Sequence, residues 1–106
     1  MLSKAFIPYG GYYSTPFSRW QGTLANENAI TLGAETSKRW LAKKNWEAKI
    51  FDYLILGLTV GQPKMFYGGP WASALIGATD TPGLLISQAC STSTTGIFQA
   101  AVGIET

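Results

Sequence analysis

The chain has 106 residues, enough for one small domain and too few for two, so residues 1–106 are read as a single domain. Apolar residues make up 46% and charged residues 13%, about half of the ~25% charged share usual in a soluble domain; this excludes disorder and implies outside cover for some of the four Trp, five Tyr and five Phe. A net charge of +2, no histidine and one cysteine exclude an intrachain disulfide, leave only carboxylates for a metal site, and supply no basic excess that calls for a nucleic-acid partner.

The N-terminus MLSKAFIPYGG lacks the uninterrupted apolar core of a secretion signal, and a cytoplasmic location is expected. Within it, Lys4 to Gly10 is a short apolar run closed by two glycines and predicts a buried strand. The turn-rich stretch YYSTPFSRWQG lacks the glycine spacing of a phosphate-binding loop and reads as a structural loop near a subunit contact. From about Asn26, the residues Ile30, Gly33, Ala34, Ser37, Trp40 and Leu41 recur at spacings of three and four. They predict an amphipathic helix with Asn26 as its cap. Glu35, Lys38, Arg39 and Lys43 fall mostly off that stripe, so the basic cluster between Ser37 and Lys49 is a solvated face.

FDYLILGLTVG, from Phe51 to Gly61, is an almost continuous apolar run and predicts a parallel strand covered on both faces. PKMFYGGP breaks the chain, and a short helix is expected over Trp71 to Ala78. After DTPG comes LLISQA, Leu84 to Ala89, read as another strand. Ser91 to Glu105 places Ile97, Ala100, Ala101 and Ile104 at helical spacing. No apolar run reaches the ~18 residues that span a bilayer. Asp52 and Asp80 have no carboxylate partner in the pattern and read as solvated turn residues, whereas Trp20, Phe66, Tyr67 and Trp71 are expected in the core or an interface rather than a ligand groove.

The order β, α, β, α, β, α argues for an α/β fold with a sheet covered by helices and right-handed crossovers. Three strands make a thin sheet, the strand Leu84 to Ala89 would leave a bare edge, and the last helix reaches Thr106 without a stop signal. The expectation is a partial domain, incomplete on its own.

The stretch ISQACSTSTTG, residues 86 to 96, sets Cys90 among small side chains where a strand is expected to give way to a helix. A lone cysteine is by default a small apolar filler. At a strand-to-helix junction it can instead be a nucleophile, because the free amides of a helix start stabilise an anion by about 0.3–1 kcal/mol. Small neighbours would then leave the sulfur open to a bulky thioester.

Three stretches taken together resemble the N-terminal part of a thiolase, the acyl-CoA acetyltransferase family. AFIPYGGYYSTPFSRWQGTL places Thr15, Pro16, Arg19, Gly22 and Leu24 as in the family's opening, FDYLILGLTVGQ resembles its second strand, and ISQACSTSTTGIFQAAVGIE resembles the segment that carries the nucleophile. Ser14 stands where Arg is usual, Ser87 where Asn often precedes the nucleophile, and Ser91, Thr92 and Ser93 where Gly-Ser-Gly is frequent. The resemblance covers nearly all of the chain but only the opening of a whole thiolase.

The resemblance implies a βαβαβα segment of a thiolase-type N-terminal domain in which Cys90 is acylated by a coenzyme A thioester, with no bound cofactor or metal. It implies a dimer or tetramer formed through the strand Leu84 to Ala89, and completion by the remainder of a thiolase chain or a complementary subunit. The family's catalytic histidine and second cysteine have no counterpart among these residues. Two alternatives stand beside this expectation: a ketoacyl or hydroxymethylglutaryl synthase relative, and a noncatalytic partner that provides only an assembly surface.

Overall fold

Backbone donors decide the fate of the first apolar run. The computed structural model describes residues 1–106. In it the amides of Ser3, Lys4 and Ala5 donate to the carboxylate of Glu105, at 2.6, 2.5 and 2.9 Å. Pro8 has no amide to give, and the Gly11 N–H closes a turn on the Pro8 carbonyl at 2.8 Å. The first two donors of the run are therefore engaged with Glu105, and a proline and a turn interrupt it further on. Lys4 to Gly10 forms no strand, contrary to the expectation, and residues 1–28 make an arm of turns and irregular backbone.

The first helix, α1, spans Ala29–Lys44. Its cap is Asn28 rather than Asn26: the Asn28 carboxamide oxygen accepts from the amides of Ile30 and Thr31 at 2.9 and 3.3 Å, the usual solution for a helix start whose donors lack internal partners. Of the predicted stripe, Ile30, Ala34 and Leu41 are buried, while Gly33 and Ser37 are exposed. The helix stops at Asn45, which takes a left-handed conformation (φ 58°) and leaves the Trp46 N–H to bond the Leu41 carbonyl at 2.9 Å. Trp46 then meets Trp40 edge to face, with ring centroids 5.5 Å apart. Lys38, Arg39, Lys43 and Lys44 all face solvent, as expected of a solvated basic face.

Two strands, β1 (Leu54–Gly57) and β2 (Gly83–Ile86), pair in parallel with Leu54 opposite Gly83 and Gly57 opposite Ile86. Both are shorter than the apolar runs that predict them. Pro82 can only accept, which it does from Leu54 N–H at 3.0 Å, and the chain turns at Gln88, so four residues of β2 are all that β1 can use. The helix α2 (Gly68–Leu75) connects them and begins three residues earlier than expected, with Pro70 in its first turn, where a missing amide is harmless. Gly77 (φ 93°) ends it, and the Ala78 N–H returns to the Ser73 carbonyl at 2.9 Å. The last helix, α3, spans Thr92–Glu105.

Strand alternation and register assign the two faces of the sheet. Leu54, Leu56 and Leu85 face α1 and α2, and Gly68 at the start of α2 lies beside Leu56, Leu85 and Ile30. Ile55, Gly57 and Ile86 face α3, where Gly96 sits against Ile55 and Ile86 and Gly57 against Thr92. The result is a three-layer mixed α/β fold with a two-stranded parallel sheet in the middle; the expected third strand is absent. The core lies on the α1/α2 side, where Ala34, Ile76 and Ala78 pack with Ala48, Leu54 and Leu75.

The tightest packing joins α2 to β2. A Cβ on Gly69 would lie 2.7 Å from the Leu84 nitrogen, and one on Gly83 would collide with the Gly69 and Pro70 backbone. Close approach of helix and strand is what both glycines permit. Gly83→Ala is expected to lower stability by about 1–3 kcal/mol or more, as overpacking against rigid backbone does, seen as a lower urea midpoint. Ser73, by contrast, has a buried hydroxyl without a hydrogen-bond partner, so Ser73→Ala should raise stability by about 1 kcal/mol, seen as a higher urea midpoint.

Candidate functional site

The segment after β2 is built around Thr92. Its side-chain oxygen accepts from the Gln88 N–H at 2.8 Å and donates to the Ala89 carbonyl at 2.7 Å. The Thr92 N–H also reaches the Ala89 carbonyl, while Ser91 bonds the Gln88 carbonyl through its amide at 3.0 Å and its hydroxyl at 2.9 Å. The Thr95 hydroxyl donates to the Gln88 side-chain oxygen. These bonds close a 3-10 turn over Ala89–Ser91 and hold Ala89 at φ 49°, a conformation uncommon for alanine.

The turn is seated from below by a side-chain contact with the sheet. Thr92 is 5% exposed, and its methyl lies so near Gly57 that a Cβ there would fall 2.6 Å from it. Gly57 thus lets the first residue of α3 settle directly on β1. Small residues at both positions are the requirement, and no sequence pattern singles them out.

Cys90 occupies the middle of this turn and is exposed. It stands one residue before Ser91, the residue that flanks α3. The expected junction of strand and helix is there, with a 3-10 turn interposed. Cys90 fills no core of this chain, so the apolar-filler reading does not describe it. It borders an open groove of about 1420 Å³ between α3 and the free edge of β1, whose walls include Ile55, Leu84, Ile97, Val102 and Ile104. Asp52 is the one charged residue on that lining.

The remaining sequence-selected residues lie elsewhere. Thr15, Pro16, Arg19 and Leu24 line a separate hollow of about 540 Å³ in the N-terminal arm, and Gly22 closes a turn there on the Arg19 carbonyl at 3.0 Å. None of these borders the Cys90 groove. Trp20, Phe66, Tyr67 and Trp71 are all exposed, contrary to core burial. Asp52 and Asp80 are exposed as expected of turn residues. No group of three or more His, Cys, Asp or Glu side chains gathers at a point, and no helix is long and apolar enough to cross a membrane.

No protein-family model matches the chain, and no curated protein sequence matches it.

Thr92→Val keeps the methyl that touches Gly57 and removes the hydroxyl bonds to Gln88 and Ala89. Loss of a doubly bonded buried hydroxyl is expected to cost about 1–3 kcal/mol, with the difference read from urea unfolding. Thr92→Ser, which retains the hydroxyl, should keep the turn bonds and lose only the methyl contact.

Proposed function

We propose that the chain is the nucleophile-bearing segment of a thiolase-type acyltransferase, in which Cys90 takes an acyl group from a coenzyme A thioester. The observation that carries this reading is an exposed thiol on a tight turn at the head of α3, bordering a long apolar groove. The thiolate attacks the thioester carbon, the carbon–sulfur bond to coenzyme A breaks, and a new carbon–sulfur bond forms at Cys90; the proton that left the thiol ends on the departing coenzyme A thiol.

The amides of Ser91 and Thr92 are engaged with Gln88 and Ala89, so the oxyanion of the tetrahedral intermediate falls to the Cys90 N–H. Apolar walls suit the acyl chain, and the small side chains of Ala89 and Ser91 leave room for the pantetheine arm. With no histidine and no second cysteine, these residues supply no base for carbon–carbon bond formation or cleavage. That chemistry belongs to the remainder of a thiolase chain or a complementary subunit.

The unpaired outer edge of β2 supports assembly with a second copy. A second reading, that the chain serves only as an assembly surface, is favoured by one observation: 11 of 106 residues are buried, which leaves Phe6, Phe17, Trp20 and Ile97 among many large apolar side chains in the open.

Incubation with acetyl-CoA followed by intact-mass and peptide mapping separates the two. The expected product carries a single acetyl group on the peptide containing Cys90, absent from Cys90→Ser, without turnover to acetoacetyl-CoA. An acetyl group on another residue, or none at all, would remove the acyl-carrier assignment.

A further inference from the structure

The C-terminal end of α3 carries an acid where a helix least favours one. Carbonyl groups without internal partners give that end a partial negative charge, and a carboxylate beside it is repelled. Glu105 is nevertheless the only charged residue of α3. Its carboxylate turns to the N-terminal arm: one oxygen accepts from the Ser3 amide and hydroxyl, the other from the amides of Lys4 and Ala5. Three successive backbone N–H groups converging on an anion form a small cationic concavity. Bonds of this type are charge-assisted, and they weaken when the acceptor takes a proton.

The rest of α3 is lightly held. Thr92 is its one buried residue, and it meets the sheet through Thr92 on Gly57 and Gly96 beside Ile55 and Ile86. Its near end is fixed by Thr92 on Gly57, and its far end by Glu105 on the arm. Between these two points α3 forms one wall of the groove that Cys90 borders.

We infer that Glu105 and residues 3–5 form a proton-sensitive strap, which ties the N-terminal arm across the end of α3 and releases both when the carboxylate is neutralised. The charged groups on the two elements that meet here are the Met1 amine, Lys4, Arg19 and Glu27 on the arm and Glu105 on α3; ion pairs within 4.0 Å occur only at Glu35–Arg39 and Glu47–Lys49. No cation therefore competes with the amides. The Ser3 amide, followed by those of Lys4 and Ala5, holds the Glu105 carboxyl below the ordinary carboxylate range.

The sign follows from linkage. A carboxyl lowered by folding contributes fully at neutral pH, above the ordinary carboxylate value of about 4.3, and the contribution disappears as pH falls through the lowered folded value. The strap is closed at neutral pH and opens in acid, as pH falls through the lowered Glu105 value.

Amide hydrogen exchange on the whole chain, each rate divided by its intrinsic rate at that pH, tests the strap. Between pH 7 and pH 3 the wild-type amides of Ser3, Lys4 and Ala5 should lose protection at least tenfold, while those of Leu54 and Leu58, which bond the Pro82 and Ile86 carbonyls, keep theirs. Glu105→Gln should show the open-strap protection at both pH values. Unchanged arm protection across the wild-type series would overturn the inference. So would loss of strand protection together with the arm, or wild-type protection at neutral pH in a folded Glu105→Gln variant.

Discussion

Where Gly83 opens β2, the backbone of α2 passes so close that no side chain could stand between them. That contact fixes the helix to the strand along the face that also holds Leu56 and Leu85, and it sets the plane of the two-stranded sheet. Everything later in the chain is placed from there. β2 runs four residues, ends at Ile86, and delivers the turn that holds Cys90; Gly57, at the matching position on β1, accepts Thr92 and so seats α3 on the opposite face. Glycine at three strand or helix positions therefore does what a larger apolar core does in bigger domains: it brings backbones together where side-chain burial is scarce.

Scarcity of burial is the other side of the same design. The radius of gyration is 14.1 Å, a little above the ~13 Å expected for a compact chain of this length, because residues 1–28 lie outside the layered part. Large apolar side chains stand open on the arm, on α3 and on β2. The groove beside Cys90 is one consequence. It is apolar, it is bounded by a strand edge with unpaired backbone groups, and it has one charged residue on its lining. A thioester with an apolar chain and a protein segment each have something to gain there, and chemistry at the thiol distinguishes them.

Much of the layered part was legible in the sequence. The 3.6-residue spacing of Ile30, Ala34 and Leu41 and the apolar runs around Ile55 and Leu85 mark elements that form, because their burial periodicity agrees with their local propensity. The first run, Lys4 to Gly10, looked equally strand-like. Its fate rested on a contact with Glu105, about a hundred residues away, and periodicity carries no information about that distance. Asn26 and Asn28 are both good caps by residue type; only the geometry of the Ile30 and Thr31 amides separates them. At the site, the position of Cys90 after a strand was readable, whereas the Thr92–Gly57 contact was not, since two small residues thirty-five apart leave no mark in a pattern of apolar and polar positions.

The account stands on an accessible sulfur held at the rim of the groove by a hydrogen-bonded turn. The most direct measurement compares the rate at which a small neutral alkylating reagent modifies Cys90 in the folded chain and in urea at the same pH. An exposed thiol at a helix head should react in the folded state within about tenfold of the unfolded rate. A folded-state rate more than a hundredfold slower would place the sulfur inside the protein and contradict the account.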